Sequence, residues 1–262
     1  MDKFRLPHIS TFTLKLIACI TMLIDHATCV FAGYIPQNLY YLGRGIGRIA
    51  MPIFAYLIVE GFFYTHSRKK QLLTLAIFAL LSEAPFDFAF NFLHETTRYA
   101  MQDQNVMLTF TIGYGMLMAV DLFKEKLMVS SPAKYNIYSV TVIMAASLAA
   151  VLTKCDYTYF GILILLTFYY FRFHKAKIAA AYIVCLILFL NYYEIPSLIA
   201  LLFIFMHNGR QWPRRMSEYF ESDRDTAIKY RYKSYYVIKY AFYAFYPVHL
   251  LILAFIRDVI VA

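Results

Sequence analysis

Apolar runs separated by short polar segments recur along the whole of this chain. Each run is long enough for a helix, and several approach the roughly 20 residues that a perpendicular membrane span needs. Lipid offers no water to backbone polar groups, so only helices and closed barrels cross it. The runs lie near residues 12–32, 46–64, 71–92, 106–123, 138–152, 157–172, 177–192, 195–207 and 240–257. The sequence therefore predicts an all-α, polytopic transmembrane helix bundle with about nine spans, of which 195–207 could instead be re-entrant.

The composition agrees with an integral membrane protein. Hydrophobic residues make up 61% of the chain and charged residues 16%, whereas soluble domains carry about 25% charged residues. The net charge of +9 could indicate nucleic-acid binding. In a membrane protein it favours basic loops beside anionic lipid, so we expect no nucleic-acid partner. The four cysteines show no metal-ligand spacing and are expected to be small packing residues.

The basic residues predict an orientation. With a cytoplasmic N-terminus, most lysines and arginines fall on the inner side, as the positive-inside rule requires. The inner segments are then 1–11, 65–70, 124–137, 173–176 and 208–239. The first run has no small-residue cleavage site, so we expect it to stay in the mature chain. We expect one integral membrane domain over 1–262, with a basic cytoplasmic loop at 208–239.

Ionisable residues inside these runs are the main indication of function. Asp25 and His26 are adjacent in the first run, where a central Asp costs roughly 2.5 to 3.5 kcal/mol. Arg44 and Arg48 stand four apart and share a helix face. Other polar residues also fall in the outer half of the predicted topology: Glu83, Asp87, Asn105, Thr109, Asp156 and Glu194. The pattern predicts one polar cavity on the outer side.

Structural roles are open for the same residues. Arg44 and Arg48 could pair with Asp25, Glu83 or Asp87 to hold helices together. The carboxylates of Asp156 and Glu194 could be ordinary loop groups, and His249, near the middle of the last run, could be a hydrogen-bonded core histidine.

The polar residues suit acyl transfer. A histidine oriented by a carboxylate such as Asp25 is a common general base, and arginines can stabilise a developing oxyanion. We therefore assign His26, Asp25, Arg48 and Arg44 as catalytic candidates. A phosphorylated donor could enter from the cytoplasm along basic residues that topology and lipid contact also explain: Arg68, Lys69, Lys70, Arg210, Arg214 and Arg215.

Several blocks of the chain resemble the TraX family. The similarity covers most of the sequence and is weakest at 130–150 and 211–238. The blocks are Leu14–Ile17, Met22–His26, Gly47–Ala55, Val59–Phe62, Ser82–Asp87, Asn105–Val106 with Thr109, Cys155–Tyr157 with Gly161, Asn208–Arg210 and Phe245–Leu250.

The resemblance implies a function. The family is associated with N-terminal acetylation of the pilin subunit in the bacterial inner membrane, and is similar to transmembrane acyltransferases that use acyl-coenzyme A. It implies a multi-pass acetyltransferase with acetyl-CoA as donor and a protein or glycan as acceptor. Cofactor-binding candidates are Arg210, Asn208, His249 and Glu60. Substrate-binding candidates are Glu83, Asp87, Asn105 and Asp156.

Other functions are compatible with the same residues. Intramembrane Asp, His and Arg also line transport and proton pathways, although no inverted repeat typical of common transporters is visible. A metal enzyme using His26, Asp25 and His249 lacks the usual ligand spacing, and we expect no metal. A purely structural assembly subunit would not need so many intramembrane charges. The acceptor and the oligomeric state are left open.

Overall fold

The computed structural model describes residues 8–90, 104–212 and 224–261, with side chains of the last helix from 236 to 260. These residues form helices, with two single-pair β-bridges and no sheet. The α-helices are α1 (Thr11–Val30), α2 (Gln37–Gly47), α3 (Ala50–Tyr64), α4 (Arg68–Phe90), α5 (Val106–Leu127), α6 (Pro132–Leu152), α7 (Thr158–Phe171), α8 (Lys175–Phe189), α9 (Ile199–Met206) and α10 (Arg224–Val261). Short 3₁₀ segments cover Ala32–Tyr34 and Tyr192–Leu198.

The all-helical fold predicted from sequence is confirmed over the described residues. Six helical segments there are long and apolar enough to cross a membrane: Thr11–Val30, Gln37–Tyr64, Arg68–Phe90, Val106–Leu127, Pro132–Leu152 and Tyr236–Ile260. Two shorter apolar segments are Thr158–Phe171 and Tyr192–Met206, and α8 has 15 residues. The count of nine spans and the cytoplasmic N-terminus remain predictions.

Contacts between helix termini divide the bundle into two ends. Ile9 bridges His207 at one end, where Arg68 of α4 also pairs with Asp121 near the end of α5. Gln104 bridges Cys155 at the other. We call the end with Thr11 and His207 end A, and the opposite end B. The helices pass back and forth between these two ends. Most of the described segments that were predicted to be basic and cytoplasmic lie at end A.

The second predicted run is interrupted. Residues 37–64 form two helices that meet at Arg48 and Ile49. Pro52 explains the break, because proline has no N–H to donate to the carbonyl four residues earlier, which belongs to Arg48. The sequence prediction began this run at 46 and so missed α2, which starts at Gln37.

The segment 208–239 is not entirely a loop. Helix α10 begins at Arg224, well before the predicted run at 240–257, and has 38 residues. No glycine or proline occurs from Arg224 to Tyr246, and these are the residues that most disfavour a helix interior. The early start of α10 is therefore favoured by local propensity, despite the polar composition.

Two glycines let α2 approach α1 closely. A Cβ atom on Gly43 would overlap the Thr28 side chain, and one on Gly47 would overlap Asp25. The two glycines are four residues apart and share one face of α2, in the small-xxx-small pattern of closely packed membrane helices. The close approach places Asp25 within reach of the arginines of this region.

Gly47→Ala should therefore destabilise the protein, by about 1 to 3 kcal/mol for an overpacked contact. Gly45→Ala is the matched control, since its Cβ would meet only Pro196, at 3.7 Å. Thermal unfolding of both purified variants in detergent tests this. A melting temperature for Gly47→Ala equal to that of Gly45→Ala would contradict the packing argument.

Candidate functional site

Asp25 is the centre of a buried charge network at end B. Its carboxylate accepts hydrogen bonds from Arg44 Nη1 at 2.7 Å and from Arg48 Nη2 at 3.1 Å. Arg48 Nη1 donates to Glu194 at 2.9 Å. The Asp25 and Glu194 side chains are only 8% and 4% exposed, so both charges depend on these partners. Of the pairings left open by the sequence, the arginines pair with Asp25 and not with Glu83 or Asp87.

The turn before α7 completes this network. The Arg48 guanidinium lies 5.4 Å from the centre of the Tyr157 ring, a cation–π geometry. Lys154, Tyr157 and Thr158 all have positive φ, which is uncommon for residues other than glycine. Thr109 donates to the carbonyl of Asp156, which fixes this turn against α5.

Asp156 lies in this turn, outside the candidate spans. Its side chain keeps some solvent exposure. Desolvation by the surrounding protein nevertheless raises the pKa of the Asp156 carboxyl from 3.8 to about 7, because the attraction of Arg48 offsets it only in part.

His26 has a different partner from the one predicted. Its Nδ1 lies 2.7 Å from Nε2 of His249 on α10, whereas Asp25 is occupied by the two arginines. The prediction that Asp25 orients His26 is therefore wrong. Consecutive helical residues point about 100° apart, so Asp25 faces α2 while His26 faces α10.

The hydrogen bonds fix the tautomers of this pair when both rings are neutral. His249 Nδ1 lies 2.6 Å from the Phe245 carbonyl oxygen, which can only accept, so Nδ1 carries the proton. His249 Nε2 must then accept from His26 Nδ1. His26 Nε2 is left with a free lone pair, as a general base requires.

A cavity of about 380 Å³ runs from end A toward this histidine pair. Thr11, Glu60 and His207 line it at end A, while Met22 and Tyr246 line it deeper in the bundle. Met22 is one helical turn before His26. The Tyr246 ring packs edge-on against His26, with centroids 5.8 Å apart.

A second cavity, of about 800 Å³, lies at end B. Arg44, Arg48 and Glu194 line it together with four tyrosines: Tyr40, Tyr41, Tyr192 and Tyr193. Neither cavity has His26 in its described lining. The single outer chamber predicted to join His26 and the arginines is therefore replaced by two cavities, one lined in part by α1 and the other by α2, Arg48 and the 3₁₀ segment before α9.

Glu83 and Asn105 form a separate polar contact. Asn105 donates to Glu83 and to the Ala79 carbonyl oxygen, while its own Oδ1 caps α5. Asp87, one turn after Glu83, is exposed. The structure thus brings Asp156 close to the arginines, places Glu83 and Asn105 between α4 and α5, and leaves Asp87 exposed on α4.

The predicted cofactor-binding residues other than His249 lie near end A. Glu60 lines the end A cavity and is paired with Arg172, at 2.7 and 3.3 Å. Asn208 caps the backbone of Arg210 in the exposed loop beside Gly209, which also lines the cavity. Arg214 and Arg215 lie outside the described residues.

Sequence reasoning missed Tyr246, which lines the end A cavity, and Asp121, which lies elsewhere in the bundle. Tyr246 was noted only within the family block, and Asp121 not at all, although it accepts hydrogen bonds from Arg68 and Tyr169. An Asp inside an apolar run was a signal for Asp121, as it was for Asp25. Nothing in the one-dimensional pattern distinguishes Tyr246 among 24 tyrosines.

Comparison with known proteins identifies the family. A family model described as "TraX protein" matches residues 10–257. The chain belongs to the TraX family. It is also 28% identical over 253 residues to the "Probable fimbrial assembly protein FimC, serogroup H1" of Dichelobacter nodosus, covering 93% of this chain and 94% of that protein. No solved structure matches this TraX protein.

The Asp156 carboxyl should make the stability of this TraX protein depend on pH. Since its pKa rises from 3.8 in the unfolded chain to about 7 in the folded protein, the folded state binds the proton more tightly. Stability should then fall as pH rises from about 4 to about 7, and level off above that range. Asp156→Asn should remove this fall, so its melting temperature should exceed that of wild type at pH 8 but not at pH 4.

Melting temperatures in detergent across this pH range test the prediction. Asp87→Asn, which removes an exposed carboxylate, controls for the loss of one charge. An Asp156→Asn difference that is the same at pH 4 and pH 8 would show that Asp156 is not the titrating group.

Proposed function

We propose that this TraX protein is a membrane-embedded acetyltransferase. It moves an acetyl group from acetyl-CoA, entering at end A, to an amine or hydroxyl acceptor at end B. The observation that carries the proposal is the His26–His249 pair, which packs against Tyr246 in the lining of a cavity that begins at end A.

The chemistry follows from this geometry. His26 Nε2 removes a proton from the acceptor, whose nitrogen or oxygen attacks the thioester carbonyl carbon. The tetrahedral intermediate expels the coenzyme A thiolate, which takes the proton back from His26. His249, held by the Phe245 carbonyl oxygen, positions His26 and stabilises its positive charge.

Tyr246 is the group best placed to stabilise the oxyanion. Its hydroxyl is buried, lies near the backbone of Val106 and makes no well-formed hydrogen bond. It lines the end A cavity beside His26. Arg44 and Arg48, first assigned this role, direct their Nη donors to Asp25, Cys29 and Glu194. In this proposal Arg44 and Arg48 instead line the end B cavity, through which the acceptor enters.

The acceptor enters through the end B cavity. Glu194 lines this cavity, and its Oε2 has no hydrogen-bond partner among the described residues. A buried, unpartnered carboxylate oxygen suits an ammonium or hydroxyl donor. The similarity to a fimbrial assembly protein favours the N-terminus of a pilin-like subunit, which would reach this cavity if end B is the outer side of the bacterial inner membrane.

The decisive assay is transfer from radiolabelled acetyl-CoA by purified protein to a pilin-like peptide or a glycan. A transporter would instead move solute across liposomes without binding acetyl-CoA. Asp25 faces the arginines rather than the histidine pair, and the described residues include no group of three possible metal ligands, so no observation favours the metal enzyme.

Replacing His26 with alanine should lower kcat by roughly 100-fold or more, as expected for loss of a general base. His249→Leu should lower kcat by roughly 10- to 100-fold, part of the range for general-base catalysis, and should shift the pH profile with KM for acetyl-CoA unchanged. His174→Gln, which alters an exposed histidine, is the control. Full acetyl-transfer activity of the His26→Ala variant would exclude His26 as the general base.

Tyr246→Phe should lower kcat by roughly 100-fold, the effect of removing one oxyanion donor, with little change in the affinity for acetyl-CoA. Tyr243→Phe removes another hydroxyl from the same cavity lining and should remain active. Equal kcat values for the two variants would remove Tyr246 from the mechanism.

A further inference from the structure

The end A cavity extends along the seam between α1 and α10, and residues of α3, α4 and α5 complete its lining. Lys15 and Met22 line it from α1, and Lys239, Phe242 and Tyr246 line it from α10. On each helix these residues are three, four or seven apart and so share one face. His26 and His249 continue the two faces, which makes the seam a path from the lysines to the histidine pair.

The two lysines lie at neighbouring levels of this seam. Lys15 Nζ is 5.3 Å from the centre of the Phe242 ring, and Phe242 is three residues after Lys239 on the same face of α10. Both ammonium groups therefore line the cavity at neighbouring levels near end A.

Among the described residues, the cavity lining offers no free counterion for these charges. Glu60 supplies the carboxylate of its described lining, and both oxygens of Glu60 are bonded to Arg172. Neither Lys15 nor Lys239 pairs with a carboxylate within the described part of the chain. Partly buried charges of one sign are unfavourable unless compensated, and a bound anion would compensate both.

The distance from the lysines to the histidines sets the size of the ligand. Lys15 and His26 are eleven residues apart, and Lys239 and His249 are ten. At 1.5 Å per residue these separations are about 16 and 15 Å. In a phosphopantetheine arm, twelve bonds join the phosphate ester oxygen to the sulfur. An extended chain advances about 1.2 Å per bond, so the arm also spans about 15 Å.

We propose that Lys15 and Lys239 bind the phosphates of the acyl donor, and that the arm along the seam sets the thioester level with His26. This site rests on the proposed function. The lysine site is not the phosphate site suggested by sequence, which used arginines and lysines of the basic inner segments, whereas Lys15 lies inside α1. A phospholipid headgroup offers the same phosphate chemistry, but its two acyl chains suit a single seam less well than the one arm of pantetheine.

Equilibrium binding of coenzyme A and of pantetheine to the full-length protein in detergent tests the site. Lys15→Gln and Lys239→Gln should each weaken coenzyme A binding by roughly tenfold, the loss of one charge-assisted contact to phosphate. Pantetheine, which has no phosphate, should bind all forms equally. Lys15→Arg and Lys239→Arg should retain affinity. Lys126→Gln, which removes an exposed cation from the end of α5, should behave as wild type.

The outcomes separate this inference from the proposed function. Wild-type affinity for coenzyme A in both glutamine variants, with acetyl transfer intact, would overturn the lysine site alone. Equal losses for coenzyme A and pantetheine would also overturn it, because the substitution would then act through cavity shape. If wild-type protein binds no coenzyme A, the acetyltransferase proposal fails. Lysine-dependent thermal stabilisation by phosphatidylglycerol without coenzyme A binding would assign the site to lipid.

Discussion

The paired charge of Asp25 is the interaction on which end B depends. A carboxylate in a membrane helix is strongly unfavourable without partners, and removing one member of a buried pair typically costs about 3 to 5 kcal/mol. Here the partners come from separate parts of the chain, because Arg44 lies in α2, Arg48 follows it, and Glu194 lies in the 3₁₀ segment before α9. One carboxylate thereby joins α1, α2 and, through Arg48, a segment about 170 residues further along.

Helix α1 connects this network to the histidine pair. Asp25 and His26 are neighbours in sequence, yet they face α2 and α10 respectively. Rotating α1 to improve one set of contacts would break the other. The ion pairs of Asp25 therefore also hold His26 in register with His249, although no bond joins the two sites directly. Gly47 makes this possible, since a side chain there would occupy the space of Asp25.

The sequence predicted the helical fold and singled out Asp25, His26, Arg44 and Arg48 as candidates, because ionisable groups inside apolar runs stand out in one dimension. It could not select Asp25 among the possible partners of the arginines, and it did not give the partner of His26. His249 and His26 are 223 residues apart, and only helix packing decides which of two adjacent residues meets it. Helix α2 was missed because its polar face and two functional glycines lower its apparent hydropathy. The start of α10 was missed because helix propensity outweighed polarity there.

The separation of the two cavities has a consequence for the proposed acetyl transfer. An enzyme that takes its donor from one side and its acceptor from the other must bring them together without opening a continuous aqueous path. Helix α1 meets this requirement because its polar groups bond to other side chains: Asp25 to the arginines, and His26 to His249. Substrates arriving from the two ends would therefore meet only where the thioester and the acceptor both reach His26 Nε2. The proposed barrier to leakage and the proposed general base would then be parts of the same helix turn.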